Sequence, residues 1–205
     1  MNRAERFNSI THLLGAVFAL VGLGFLLVRA SSTGDPWKIV SASIYGGTLV
    51  ALYFSSSLYH GIQHQTTFIL QKLDHTMIYM LIAGTYTPFA LVTLRGAWGW
   101  PIFGVVWGLA LVGILQEILF KKRKNILSVV LYLVMGWIVV IVARPIMRVL
   151  PGAGIIWLVT GGLFYTIGVL FYALDKKFAY SHGVWHLFVL AGSASHYIAI
   201  YLYVV

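Results

Sequence analysis

His182 and His186 stand four residues apart at the start of an apolar stretch, S-H-G-V-W-H-L-F-V-L-A-G-S-A-S-H-Y-I-A-I-Y-L-Y, that runs from Ser181 to Tyr203. On a helix that spacing is just over one turn, so both imidazoles project from the same face. Two histidines stacked in this way are half of a metal site that needs a third ligand. The chain has no cysteine, so thiolate sites and disulfides are excluded and a metal must be held by His, Asp, Glu or water.

The elements that would position such a site follow from composition. The chain has 205 residues, 60% of them hydrophobic and 9% charged, with a mean hydropathy of +0.89. Soluble domains are about 45–50% apolar and about 25% charged. The apolar residues come in runs of roughly the 17–25 that a bilayer needs, separated by short charged or Gly/Pro-containing pieces. Backbone in lipid must satisfy its own hydrogen bonds, so these runs are helices, and the alternating ten-residue segments of a membrane barrel are not seen. Seven spans are expected, at 10–28, 39–60, 73–94, 101–120, 126–143, 155–174 and 183–204, forming a single all-α membrane domain over 1–205. The first is read as a retained span and not a cleaved signal, because no convincing small-residue cleavage site follows it. The net charge of +9 sits at helix ends, which argues for headgroup contacts and against nucleic acid as a partner.

Nine Lys and Arg (Arg3, Arg6, Lys72, Lys121, Lys122, Arg123, Lys124, Lys176 and Lys177) fall on one side of this topology. Five (Arg29, Lys38, Arg95, Arg144 and Arg148) fall on the other. The positive-inside bias places the N-terminus in the cytoplasm and the C-terminus outside. His60 then ends the second span at the same depth as Asp74, His182 and His186. Ionisable groups inside a membrane are costly and face the bundle interior with a partner. His60, His182 and His186 are assigned as ligands of a zinc ion that keeps a fourth position for water. Asp74 could ligate directly, but it is preferred as the water's proton acceptor. Ser56, one turn before His60, either stabilises an oxyanion or bonds back to its own helix.

From His186 the same helical face continues through Ser193 and Tyr197, and Tyr53 lies seven residues before His60. These three are expected either to line an apolar cavity suited to an acyl chain or to serve ordinary helix packing. Of the other histidines, His75 points about 100° away from Asp74, and His64 is a substitute ligand if the second helix continues. His196 is expected to bond between helices, and His12 to act as a cap and interfacial anchor. Glu117 is expected to be an interfacial charge, Pro88 to kink the third span, and Gly104 with Gly108 to permit a close helix crossing.

Three stretches now stand out together: E-R-F-N-S-I-T-H-L-L-G; S-S-S-L-Y-H-G with K-L-D-H-T-M-I-Y-M-L-I-A-G-T-Y-T-P; and S-H-G-V-W-H-L-F-V-L-A-G-S-A-S-H-Y. They resemble the motif regions of the haemolysin III family, the bacterial branch of the progestin and adipoQ receptor superfamily, and the resemblance covers essentially the whole chain. It implies a seven-helix protein of the bacterial cell membrane with a zinc ion near the cytoplasmic face. The family ligands fall on His60, His182 and His186, the water-associated Asp on Asp74 and the family Ser on Ser56. The superfamily resembles alkaline ceramidases, which implies zinc-dependent hydrolysis of a lipid amide or ester. A membrane-state sensor with a structural zinc and a lytic pore are the other two expectations. A pore should carry polar faces along several helices, whereas the ionisable residues here cluster at one depth.

Overall fold

A chain with few charges and long apolar runs has one way to satisfy its backbone in lipid, which is to be helical throughout each crossing. A computed structural model describes residues 3–62, 67–119, 125–175, 177–178 and 180–205, and these hold helices and no strand. The helices are α1 (Arg3–Ser32), α2 (Pro36–Gly61), α3 (Thr67–Pro88), α4 (Gly99–Leu119), α5 (Asn125–Trp137), α6 (Ala143–Val149), α7 (Gly152–Ala173) and α8 (Ser181–Tyr203). A 3-10 segment, Ile138–Val142, joins α5 to α6, and the three pieces make one crossing. Seven helices are thus long and apolar enough to span a membrane. His64, the basic residues Lys121, Lys122, Arg123 and Lys124, and Lys176 lie outside the described residues.

Polarity is arranged inside out. Leu14, Phe18, Leu20, Phe25 and Val28 of α1 are exposed on the outer face of the bundle, where lipid would cover them. Asn8, His12, Ser41, Ser55, Ser56, His60, Asp74, His186 and Ser193 are buried between helices. α1 packs on α2 and α8, α2 on α3, α3 on α4, and α7 on α8. The turn into α2 is set locally: Gly34 has φ +70°, Asp35 accepts the N–H of Trp37 at 2.9 Å, and Pro36 fills the first helical position, where its missing donor costs nothing.

Two expectations need correction. α1 is already helical at Arg3, seven residues before the apolar run begins, because one face of its first turns packs on α2 and α8, with Asn8 and His12 buried there and Glu5 and Ser9 bonded to α2. His12 is therefore deep in a helix and is neither a cap nor an interfacial anchor. Gly104 and Gly108 permit no close crossing, since a side chain at either would meet open space. The close approach on α4 is at Gly113, where an added carbon would collide with the Tyr79 ring.

Pro88 does disturb its helix. α3 passes into a π-helical turn, Phe89–Thr93, closed by the Leu94 N–H on the Phe89 carbonyl at 2.8 Å, a wider ladder of the kind that accommodates a helix irregularity. The fifth crossing breaks too, and Tyr86 mends the break. Its hydroxyl donates to the Gly136 carbonyl at 2.8 Å and accepts the Val139 N–H at 2.9 Å. Without water in the membrane core, those two backbone groups depend on this side chain. Tyr86→Phe should lower stability by about 1–3 kcal/mol, the cost of leaving polar groups unpaired where lipid excludes water. Thermal unfolding in bicelles measures it, and an unchanged midpoint would show that the break is satisfied in some other way.

Candidate metal centre

The site is built at the end of the bundle where α1 begins. His60 closes α2, and His182 and His186 open α8. One ring nitrogen from each lies within 4.8 Å of the other two. The ring centroids form a near-equilateral triangle, with His60 to His182 at 5.0 Å, His60 to His186 at 4.9 Å and His182 to His186 at 4.8 Å. The rings are inclined by 60–66°, like blades around a common point. Edge-on packing of aromatic rings accounts for such distances, but it does not account for buried nitrogens left bare. His60 Nε2 and His186 Nδ1 are both buried without a hydrogen-bond partner. A lone pair stranded in that way costs free energy unless something accepts it, and three imidazole nitrogens this near one another are close enough to hold a metal ion.

The outer nitrogens meet carboxylates. His60 Nδ1 lies 2.6 Å from Glu5 Oε2, and His182 Nδ1 lies 3.8 Å from Asp175 Oδ2. Histidine ligands commonly carry such a partner, which sets tautomer and ring orientation.

A sequence profile described as Haemolysin-III related matches residues 1–197. The chain belongs to the haemolysin III family. It is 44% identical over 204 residues to a Hemolysin-3 homolog of Bacillus subtilis (strain 168), covering 99% of this chain and 95% of that one. It is 39% identical to Hemolysin-3 of Bacillus cereus, over 98% of this chain and 92% of the relative. Monocyte to macrophage differentiation factor of Homo sapiens is 30% identical over 202 residues, 96% of this chain and 82% of the human protein.

In this haemolysin III chain the other expected site residues are placed as follows. Ser56 is buried one turn before His60, and Asp74 is buried near the start of α3, outside the close histidine set. Tyr53 and Ser193 are joined directly, the Tyr53 hydroxyl donating to Ser193 Oγ at 2.7 Å, and Tyr165 meets the same Ser193 oxygen at 2.7 Å. This knot ties α2, α7 and α8 together at mid-bundle. Tyr197 turns away from it and donates to the Gly22 carbonyl of α1 at 2.9 Å. None of the three lines the cavity, because hydroxyls buried in lipid are drawn to polar partners on neighbouring helices.

A cavity of about 280 Å³ does exist, but between α3, α5, α7 and α8, with Leu52, Ile82, Tyr132, Tyr165, Trp185 and Val189 among its walls. His196 bonds between helices as expected, through Nε2 to the Leu158 carbonyl at 3.1 Å. Glu117 is not an exposed charge. It is buried, and Ser128 of α5 donates to its Oε1 at 2.6 Å.

The residues that sequence reasoning missed are on α1. Glu5 meets His60, and the His12 ring stacks on His186 with centroids 3.6 Å apart and planes 10° from parallel. Their signal was available: Glu5, Asn8 and His12 follow helical spacing and share one face.

Purified protein should carry about one metal ion per chain, as a three-histidine centre requires. His186→Ala should bring this below about a tenth of that occupancy, since two ligands hold a metal weakly. Elemental analysis of both proteins decides it. A metal-free native protein, or full loading of the variant, would rule the centre out.

Proposed function

We propose that this haemolysin III chain is a zinc-dependent membrane hydrolase that cleaves a lipid amide or ester and serves membrane-lipid homeostasis. The convergence of His60, His182 and His186, with a buried nitrogen on each of His60 and His186 that has no hydrogen-bond partner, carries the reading. Three imidazoles leave an ion an open position, which suits catalysis better than a closed structural site. Zinc held there would polarise a carbonyl and make a water acidic enough to attack near neutral pH.

The remaining steps belong to the chain. Asp74 takes the proton of the attacking water and returns it to the leaving nitrogen or oxygen. Ser56 donates its hydroxyl to the carbonyl oxygen as negative charge develops there. The apolar cavity, largely walled by aliphatic and aromatic side chains, receives the acyl chain. The Lys/Arg bias supports placing this end of the bundle at the cytoplasmic face of a bacterial inner membrane.

A second reading has one observation in its favour. The cavity reaches Trp185 and Val189, which bracket His186, yet none of the three histidines, Ser56 or Asp74 forms its wall. A sensor would keep lipid and metal apart in this way and let occupancy of the one shift the helices around the other. The two readings separate on a single variant. In vesicles containing ceramide-like and phospholipid substrates, wild-type protein should release fatty acid. Asp74→Asn should lose about 10²–10⁴-fold in rate, the usual worth of a general base, while keeping its metal. No release by metal-loaded wild type, together with full cellular function of Asp74→Asn, would replace the hydrolase with the sensor.

A further inference from the structure

α1 supplies no ligand, yet it is the element that holds the ligands in place. Its register against α2 is set by a reciprocal pair: Ser9 Oγ donates to the Ser57 carbonyl at 3.0 Å, and Ser57 Oγ donates to the Ser9 carbonyl at 3.0 Å. The approach is close, since a carbon added at Gly61 would stand 3.0 Å from Ser9 Oγ. Glu5 lies one turn before Ser9, and His60 lies about one turn after Ser57 on the antiparallel helix. The serine clasp therefore delivers the Glu5 carboxylate to His60 Nδ1, at 2.6 Å.

We propose that Glu5 is a positioning residue of the metal centre, fixing His60 with its Nδ1 proton outward and Nε2 toward the ion. The assignment rests on the metal reading above and extends it to a residue outside the ligand set. A carboxylate beside Nδ1 is an acceptor only, so the ring must carry its proton there. The other nitrogen, Nε2, is then left with its lone pair, and it is the atom found buried and bare. The charged acceptor also raises the ring's electron-donating power and holds its plane.

His60 is buried, whereas the Glu5 side chain is 38% exposed. The carboxylate thus reaches a buried ring from a partly open position, at little desolvation cost. A merely structural ion pair would instead need a protonated His60, which could not ligate.

The test compares Glu5→Ala, Glu5→Gln and Glu5→Asp with wild type in the full-length reconstituted protein. Zinc affinity is read by competition with a chelator, and the ligand field by the visible band of the cobalt-loaded form. Glu5→Ala should weaken zinc about 10–100-fold, as loss of such partners does, and should shift the cobalt band. Glu5→Gln keeps an oxygen acceptor without the charge and should fall between, while Glu5→Asp should recover part of the loss. The unfolding midpoint of the metal-free protein should stay near wild type in all three, because more than a third of the Glu5 side chain is exposed.

Affinity and cobalt spectrum unchanged in Glu5→Ala would overturn the proposal alone. So would a loss that only follows a lowered metal-free unfolding midpoint. A wild-type chain that takes up no zinc would overturn it together with the metal reading, so the two failures are told apart in the first measurement.

Discussion

A polar side chain inside a bilayer has no water to fall back on, and nearly every feature of this bundle answers to that. Apolar side chains are free to face outward, so α1 presents Phe18 and Phe25 to lipid without cost. Hydroxyls, imidazoles and carboxylates must find one another. The result is a bundle organised from its polar contacts outward: a tyrosine mending a broken helix, a serine joining three helices at mid-depth, and a histidine triangle at one end. Hydrophobic burial gives no preference between helix faces in lipid, so these contacts decide which helices are neighbours and at what register.

The register of α1 on α2 shows how much follows from one such contact. Ser9 and Ser57 bond each to the other's carbonyl, which admits a single alignment of the two helices. A slip of one turn would separate Glu5 from His60 and remove the His12 ring from His186. The histidine triangle is therefore braced by a helix that contributes none of its three histidines.

What the sequence could and could not reveal follows from the same physics. His182 and His186 were legible because four residues on a helix is a local fact. His60 required only the direction of each crossing, which the alternation of spans supplied. Glu5 was passed over and His12 read as a cap because the helix start was taken from the apolar run, which begins seven residues after Arg3. Gly104 and Gly108 misled in the opposite direction. Small residues permit a close crossing but do not compel one, and on α4 the space was used at Gly113, where the Tyr79 ring sits. The break in the fifth crossing is marked locally by Pro145, which has no N–H to offer the Ile141 carbonyl one turn earlier, although Ile138–Val142 itself is apolar and regular in sequence. Its partner, Tyr86, lies on another helix.

The two halves of the proposed chemistry meet within one helical turn. On α3, Asp74 is followed four residues later by Ile78, which already belongs to the cavity wall. On α8, His186 is bracketed by Trp185 and Val189, both in that wall. On each helix a residue of the site and a residue of the cavity wall thus lie within about 6 Å of rise. A lipid whose chain occupied the cavity would bring the boundary between chain and headgroup to that level, where its amide or ester bond lies. The three histidines stand outside the cavity wall, and Trp185 and Val189 within it. Trp185 is carried on the same turn as His186. A rotation of α8 small enough to keep the Tyr197 bond to α1 would be felt at both sites together, because one turn of one helix carries residues of each.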